Sequence, residues 1–153
     1  MPQLSLQSPL GALTLSEEDG KIVSLDWGEG RDHTETPLLC LARDQLQAYF
    51  DGTRLTFDLP LAPFGTPYRL RVWQALCQIP PGQTRTYLDI ATAAGGSPRS
   101  VGGANGANPI PIIVPCHRVI AVNGPGGYSS PGGLTTKRWL LAHEARNTPL
   151  LSR

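Results

Sequence analysis

The chain opens on three short apolar runs, Leu4–Leu6, Ala12–Leu15 and Ile22–Trp27, separated by the turn formers Ser8-Pro9-Leu10-Gly11 and Glu18-Asp19-Gly20. Apolar runs of this length between turn signals predict a small antiparallel sheet. From Leu38 to Phe50 the period changes. Leu39, Ala42, Leu46 and Tyr49-Phe50 recur close to every third or fourth position, and Asp51-Gly52 follows as a stop, so a helix is expected there. Arg54–Leu59 alternates as one more strand would. The Pro/Gly-dense LPLAPFGTP then marks a boundary, dividing the chain into residues 1–64 and residues 65–153.

Beyond the boundary the pattern is mostly helical. Thr66-Pro67 is a cap followed by proline at the first helical position, with Leu70, Trp73 and Cys77 on one face. Thr86-Tyr87-Leu88-Asp89 fits a capping box opening a helix that stops at Gly95-Gly96, and Ser97-Pro98 starts another only two residues on. Two helices joined by so short a glycine turn form a helix-turn-helix pattern, which packing hairpins also share. The second of them, RSVGGANGAN, carries three glycines, each costing roughly 0.8–1 kcal/mol against alanine in a helix. Either this stretch is a loop, or the helix approaches something so closely that side chains would obstruct it. A DNA minor groove, about 6 Å wide, is one such surface. Next come Asn108-Pro109-Ile110-Pro111 and an apolar Ile112–Val114 that reads as a strand. The glycine-rich AVNGPGGYSSPGGL follows as a long, sparsely packed loop, and Lys137–Arg146 as an amphipathic closing helix. The fold class expected is α/β (α+β): a small antiparallel sheet with a helix, then a mostly helical domain.

Charge sharpens the division. Of the 153 residues, the first 64 carry a net charge of −6 and the remainder +7, which nearly cancel over the whole chain. An acidic unit beside a basic one suggests a polyanion partner for the second, or mutual attraction of the halves. There is no apolar run long enough for a membrane span and no basic-then-apolar leader. Cys40, Cys77 and Cys116 are odd in number and widely spaced, which argues against a disulfide framework, and with His33, His117 and His143 they make no metal-ligand spacing. A reduced, cytoplasmic, monomeric thiol protein without metal or cofactor is expected.

Residues 114–119 read VPCHRV. A cysteine beside a histidine is either a core thiol next to a polar neighbour or a nucleophile with its base. Adjacent residues of a regular strand face opposite ways. Pro115 disfavours a central strand, so the thiol is expected at a turn just after one.

RSVGGANGANPIPIIVPCHRVI together with Tyr128…GGLTTKRWLLAHE, and less specifically GTPYRLRVWQALCQIPPGQTRTY, resembles the O6-alkylguanine-DNA alkyltransferase family over roughly residues 65–144. The resemblance implies flipping of an alkylated guanine out of duplex DNA and irreversible single-turnover transfer of its alkyl group to Cys116, with O4-alkylthymine left open as a second substrate. Flipping is needed because the reacting atom is out of reach inside the stack. Carried over position by position, His117 is the base, acting through a water, and Glu144 its orienter; Tyr87 donates a proton to the guanine. Asn108 ties the helix-turn-helix to the active-site segment. Asn108, Pro111, Val119, Tyr128, Ser129 and Ser130 belong to the substrate pocket. Thr86, Ser100, Gly102, Gly103, Asn105 and Arg118 belong to the DNA face, and Arg99 fills the gap left by the flipped base, or contacts a phosphate if the register differs. Two departures stand out: Tyr87 to Val101 is two residues shorter than the family pattern, and YSSPGGL two residues longer. Three other readings remain: a damage sensor, which would lack the cysteine; a Cys116–His117–Glu144 hydrolase, which would turn over repeatedly; and a transcription factor with a structural thiol.

Overall fold

The computed structural model describes residues 1–151, with side chains through Thr148. Strands β1 (Gln3–Ser8), β2 (Gly11–Glu18) and β3 (Lys21–Trp27) form an antiparallel meander in that order. Period-two alternation turns Leu4, Leu6, Leu13, Leu15 and Leu25 inward, where helix α1 (Pro37–Asp51) lays Leu39, Ala42 and Leu46 against them. Thr36 caps α1 through its side chain, and Gly52 ends it in the left-handed conformation, which glycine enters without a Cβ penalty.

Arg54–Leu59 forms no strand. The chain there is extended, and only Leu61 makes a parallel bridge, to Ile22 on the open edge of β3. That edge is further occupied by Pro109, whose carbonyl accepts from Leu25 N at 2.9 Å. The edge of the sheet therefore touches the segment leading to Cys116.

Helices α2 (Pro67–Leu76), α3 (Tyr87–Ala94) and α4 (Pro98–Gly106) pack on one another, and α5 (Leu134–Leu151) closes the unit. Thr66, Thr86 and Ser97 each cap their helix as their spacing predicts, the last two in capping boxes. RSVGGANGAN is thus helical and not a loop. Trp73 of α2 donates its indole N–H to the Ala104 carbonyl of α4 at 2.8 Å, a buried bond fixing the second helix of the pair. Two-residue strands β4 (Arg85–Thr86) and β5 (Val119–Ile120) pair in parallel, joining the start of α3 to the residues after the thiol. Among the described residues, no helix is long and apolar enough to cross a membrane.

Candidate active site

Ile112–Val114 is not a strand either. Asn108 turns the segment into a compact loop: its amide donates to the Val114 carbonyl at 2.9 Å and its Oδ1 accepts from Ile110 N at 3.0 Å. Ile112 sits fully buried at φ 72°, a strained conformation for a β-branched residue that the surrounding packing must hold. Cys116–Arg118 then forms one turn of 3-10 helix. The tight turn, rather than the end of a strand, lets consecutive side chains reach different parts of one buried network.

Glu144, brought by α5, is the centre of that network. Its Oε2 accepts from His117 Nε2 at 2.7 Å, Tyr49 Oη at 2.7 Å and Arg118 Nη2 at 2.9 Å, and its Oε1 from Arg118 Nε at 2.8 Å. Burial opposes its ionisation, but the bonds from His117 and Arg118 outweigh burial and hold the carboxyl well below the usual range. Burial also depresses His117, against the pull of Glu144, so the imidazole is neutral at pH 7. An ionised Glu144 can only accept, so the imidazole proton is on Nε2. Nδ1 is left as a buried lone pair with no partner among the described residues. His117 makes no direct bond to Cys116 among the described residues, in keeping with a relayed proton. The thiol is pushed up by burial, while Asn108, Tyr128 and the charge of Lys137 act the other way.

Cys116 lines a cavity together with Tyr87, Gly102, Asn105, Gly106, Asn108, Pro111, Gly127, Tyr128 and Ser129. Tyr87 stands at its mouth, where its hydroxyl accepts from Gly127 N at 3.3 Å. A Cβ on Gly126 would lie 2.5 Å from that hydroxyl, and Gly126 also has φ 73°, so glycine is needed there twice over. Of the pocket residues carried over from the family pattern, Asn108, Pro111, Tyr128 and Ser129 reach the cavity and Ser130 does not. The two extra residues of YSSPGGL form a turn before α5, with Ser130 O accepting from Gly133 N at 2.9 Å and Pro131 O from the Thr136 hydroxyl at 2.8 Å. Val119 is buried and contributes its carbonyl to Lys137 Nζ instead of a side chain to the pocket.

Two residues expected on the DNA face are elsewhere. Arg118 is 5% exposed, and its third nitrogen, Nη1, donates to the Ile79 carbonyl at 2.7 Å, so the guanidinium is held inside and away from a phosphate. Asn105 is 6% exposed and faces the cavity. Arg99 and Ser100 are exposed at the start of α4, Ser100 within its capping box, and Thr86 caps α3. Gly102 and Gly103 are helical, and an added Cβ would meet only Tyr87 Cε1 at 4.0 Å in the first case and nothing in the second. The protein itself gives no steric reason for these glycines.

Sequence reasoning missed two members of the site. Lys137 is fully buried, its ammonium bonded to the carbonyls of Val119 and Gly127 and its pKa drawn down to about 8 by burial. It fastens the segment before the glycine-rich loop and the middle of that loop, which is therefore less free than its composition suggests. The second is Tyr49, far away in α1. Its only sequence signal was a place on a helix's apolar face.

The model of the 6-O-methylguanine DNA methyltransferase ribonuclease-like domain matches residues 4–63, and that of the DNA binding domain of the same proteins matches residues 67–146. The chain is 50% identical over 131 residues to the constitutive methylated-DNA–protein-cysteine methyltransferase of Bacillus subtilis, covering 76% of this chain and 79% of that one. It is 43% identical to the methylated-DNA–protein-cysteine methyltransferase of Methanosarcina barkeri, over 93% and 96% of the two chains. The crystal structure of Mycobacterium tuberculosis OGT in complex with DNA superposes with a TM-score of 0.86 at 41% identity, covering 96% of this chain and 94% of the other. With both halves matched in order, and with a thiol, imidazole and carboxylate gathered behind a helix-turn-helix, the chain belongs to the 6-O-methylguanine DNA methyltransferase family.

Proposed function

We propose that the protein repairs duplex DNA in the cytoplasm, as a monomer, by moving the alkyl group of an extruded O6-alkylguanine onto Cys116. One observation carries the reading: the Cys116 thiol lines a cavity, backed by a neutral imidazole whose free lone pair is set by Glu144. His117 Nδ1 takes the thiol proton through a relay. The thiolate attacks the alkyl carbon as the carbon–O6 bond breaks, and the electron pair stays on guanine. Tyr87 Oη supplies a proton to the departing base, so that guanine leaves neutral. The proton held by His117 is then lost to solvent and Tyr87 regains one from it. The net change is a thiol proton exchanged for the alkyl group on guanine, and an inert thioether remains, so each chain acts once. Arg99, exposed at the start of α4, fills the stack after extrusion. Three thiols without disulfides suit a reducing compartment.

Incubation with a duplex oligonucleotide containing O6-methylguanine tests this. The Cys116 peptide gains one methyl mass, product plateaus at one per chain, and Cys116→Ser binds duplex without reacting. Methylation of Cys40 or Cys77 in its place, or repeated turnover, contradicts the reading.

A further inference from the structure

Two exposed apolar side chains stand beside the mouth of the reaction cavity. Leu88 is 58% exposed and Val122 85%. Strands β4 and β5 run in parallel with Thr86 opposite Ile120, so Leu88 and Val122 each lie two residues beyond that last pair and leave the pairing at the same end. Between Thr86 and Leu88 is Tyr87, which lines the cavity. Neither position is explained by packing. Helix α3 turns Ile90, Ala91 and Ala94 inward and leaves Leu88 outside. Val122 sits with Asn123 at the tip of a turn closed by Ala121 and Gly124, where glycine or a small polar residue is the usual choice. Nor does this edge suit a phosphate. The Asp89 carboxylate adjoins Leu88 in the α3 capping box, and Arg85 turns its guanidinium back onto the Thr84 carbonyl and Gln83 Oε1.

A duplex offers apolar surface away from its phosphates, in the C–H edges of the deoxyribose rings that wall the minor groove. On the functional reading above, we infer that Leu88 and Val122 form an apolar lip that packs on the deoxyribose rings flanking the extruded base, and so separates DNA from RNA. The lip is continuous with the helix-turn-helix: the Tyr87 ring lies 4.0 Å from where a Cβ on Gly102 of α4 would stand. A ribose in the same place carries a 2′-hydroxyl in the minor groove. Against two aliphatic side chains that hydroxyl loses water and gains no partner, which is the source of the discrimination. The exposed arginines cannot supply it, because phosphates are common to both nucleic acids.

The test uses duplex oligonucleotides carrying O6-methylguanine, either all-deoxy or with one ribonucleotide placed in turn at the modified position and at each of the two positions on either side. Second-order rates of Cys116 methylation are read by mass for the wild type, Leu88→Ser, Val122→Ser and the double variant. One ribonucleotide should slow the wild type by about tenfold at one or more positions, the scale of a buried hydroxyl left without a partner. The double variant should compress that penalty several-fold, with the single variants between. Each penalty is a ratio within one protein, so any change in the cavity itself cancels. Affinity of the double variant for the all-deoxy duplex should fall several-fold while its salt slope stays that of the wild type, because no phosphate contact is lost. A wild type that tolerates ribose at every position overturns the inference, as does a double variant that keeps the full penalty or the full affinity. A shallower salt slope overturns it too, by assigning this edge to phosphates. If the wild type fails to methylate Cys116 on the all-deoxy duplex, the functional reading itself fails, an outcome distinct from indifference to the sugar.

Discussion

Cys116 and His117 face opposite demands from the same burial. Removal from water makes the thiol harder to ionise and the imidazole harder to protonate, whereas Glu144 keeps its charge, because His117, Arg118 and Tyr49 all donate to it. The pH dependence of alkyl transfer follows. On the acid limb the rate should fall as His117 protonates, with a midpoint below the ordinary value of about 6.5. On the alkaline side it should keep rising past the ordinary thiol value of about 8.5, since burial raises Cys116. A pH–rate profile on a free O6-benzylguanine substrate checks both; an acid midpoint above that of free imidazole would contradict the assigned charge state. Stability responds to pH through Glu144. Its carboxyl is depressed in the folded state, so its contribution is fully present above the unfolded value of about 4.3 and is lost as pH falls from there toward the folded value. Glu144→Gln should remove that acid-limb dependence and, by stranding the buried Arg118 guanidinium, cost about 3–5 kcal/mol in denaturant unfolding at pH 7. The nucleophile and its two partners were legible in the sequence only through the resemblance. VPCHRV alone states that a cysteine and a histidine are adjacent, whereas the tautomer and the free lone pair depend on a carboxylate 27 residues away.

Helix starts were the most legible elements, because a cap is local: Thr66, Thr86 and Ser97 each bond a backbone N–H three residues on. Arg54–Leu59 and Ile112–Val114 were misread as strands because an extended, apolar stretch resembles a strand whether or not an edge is available to pair with it. β3's open edge is taken by Leu61 and Pro109, not by either run. The helix-turn-helix is held by contacts that no local pattern reveals. Tyr68 of α2 donates to the Gly95 carbonyl at 3.0 Å and shares a 2.8 Å bond with the Ser100 hydroxyl. Arg71 reaches the Ala94 carbonyl at 3.2 Å, its guanidinium lying over the Tyr68 ring. α2 thus closes the end of α3 and holds the start of α4, where Arg99 sits. Tyr68→Phe should slow reaction with duplex substrate several-fold while leaving the free base unaffected, as should Arg99→Ala more severely; equal losses on both substrates would assign these residues to the fold alone. Gly103 points outward into space a Cβ would not contest. Gly103→Ala should therefore raise unfolding stability by roughly 0.5–1 kcal/mol and weaken duplex binding, the two readouts moving in opposite directions. A gain in both would remove the close-approach explanation for this glycine.

The acidic first half of the molecule reaches the buried carboxylate of the basic second half. Tyr49, on the face of α1 that leaves the sheet, is fully buried and donates to Glu144 across 95 positions of sequence. Its carbonyl accepts from His143 Nε2, and its ring packs beside Phe57 and His143, with Trp139 stacked on the far side of that imidazole. The +7 of the second half is likewise not all available to DNA: Arg118 and Lys137 are buried and spent on internal partners, which leaves exposed arginines such as Arg69, Arg99, Arg138 and Arg146 to meet phosphates. Duplex affinity should weaken as salt rises, with a slope set by those exposed groups and unchanged on altering Arg118. Tyr49→Phe isolates the coupling between the halves. It keeps the ring and its packing and deletes one donor to a carboxylate, a loss worth about 1.5–3 kcal/mol for a bond to a charged group. The hydroxyl proton points at Glu144 and competes with His117 Nε2–H for the same oxygen. Without it the carboxylate turns more of its charge toward the imidazole, and the protonated form of His117 becomes easier to reach. The acid limb of the pH–rate profile should then move to higher pH, while duplex affinity and its salt slope stay as they were. A variant that merely loosened the fold would lower the rate at every pH without displacing the midpoint, and that result would reduce Tyr49 to a packing contact between the two halves.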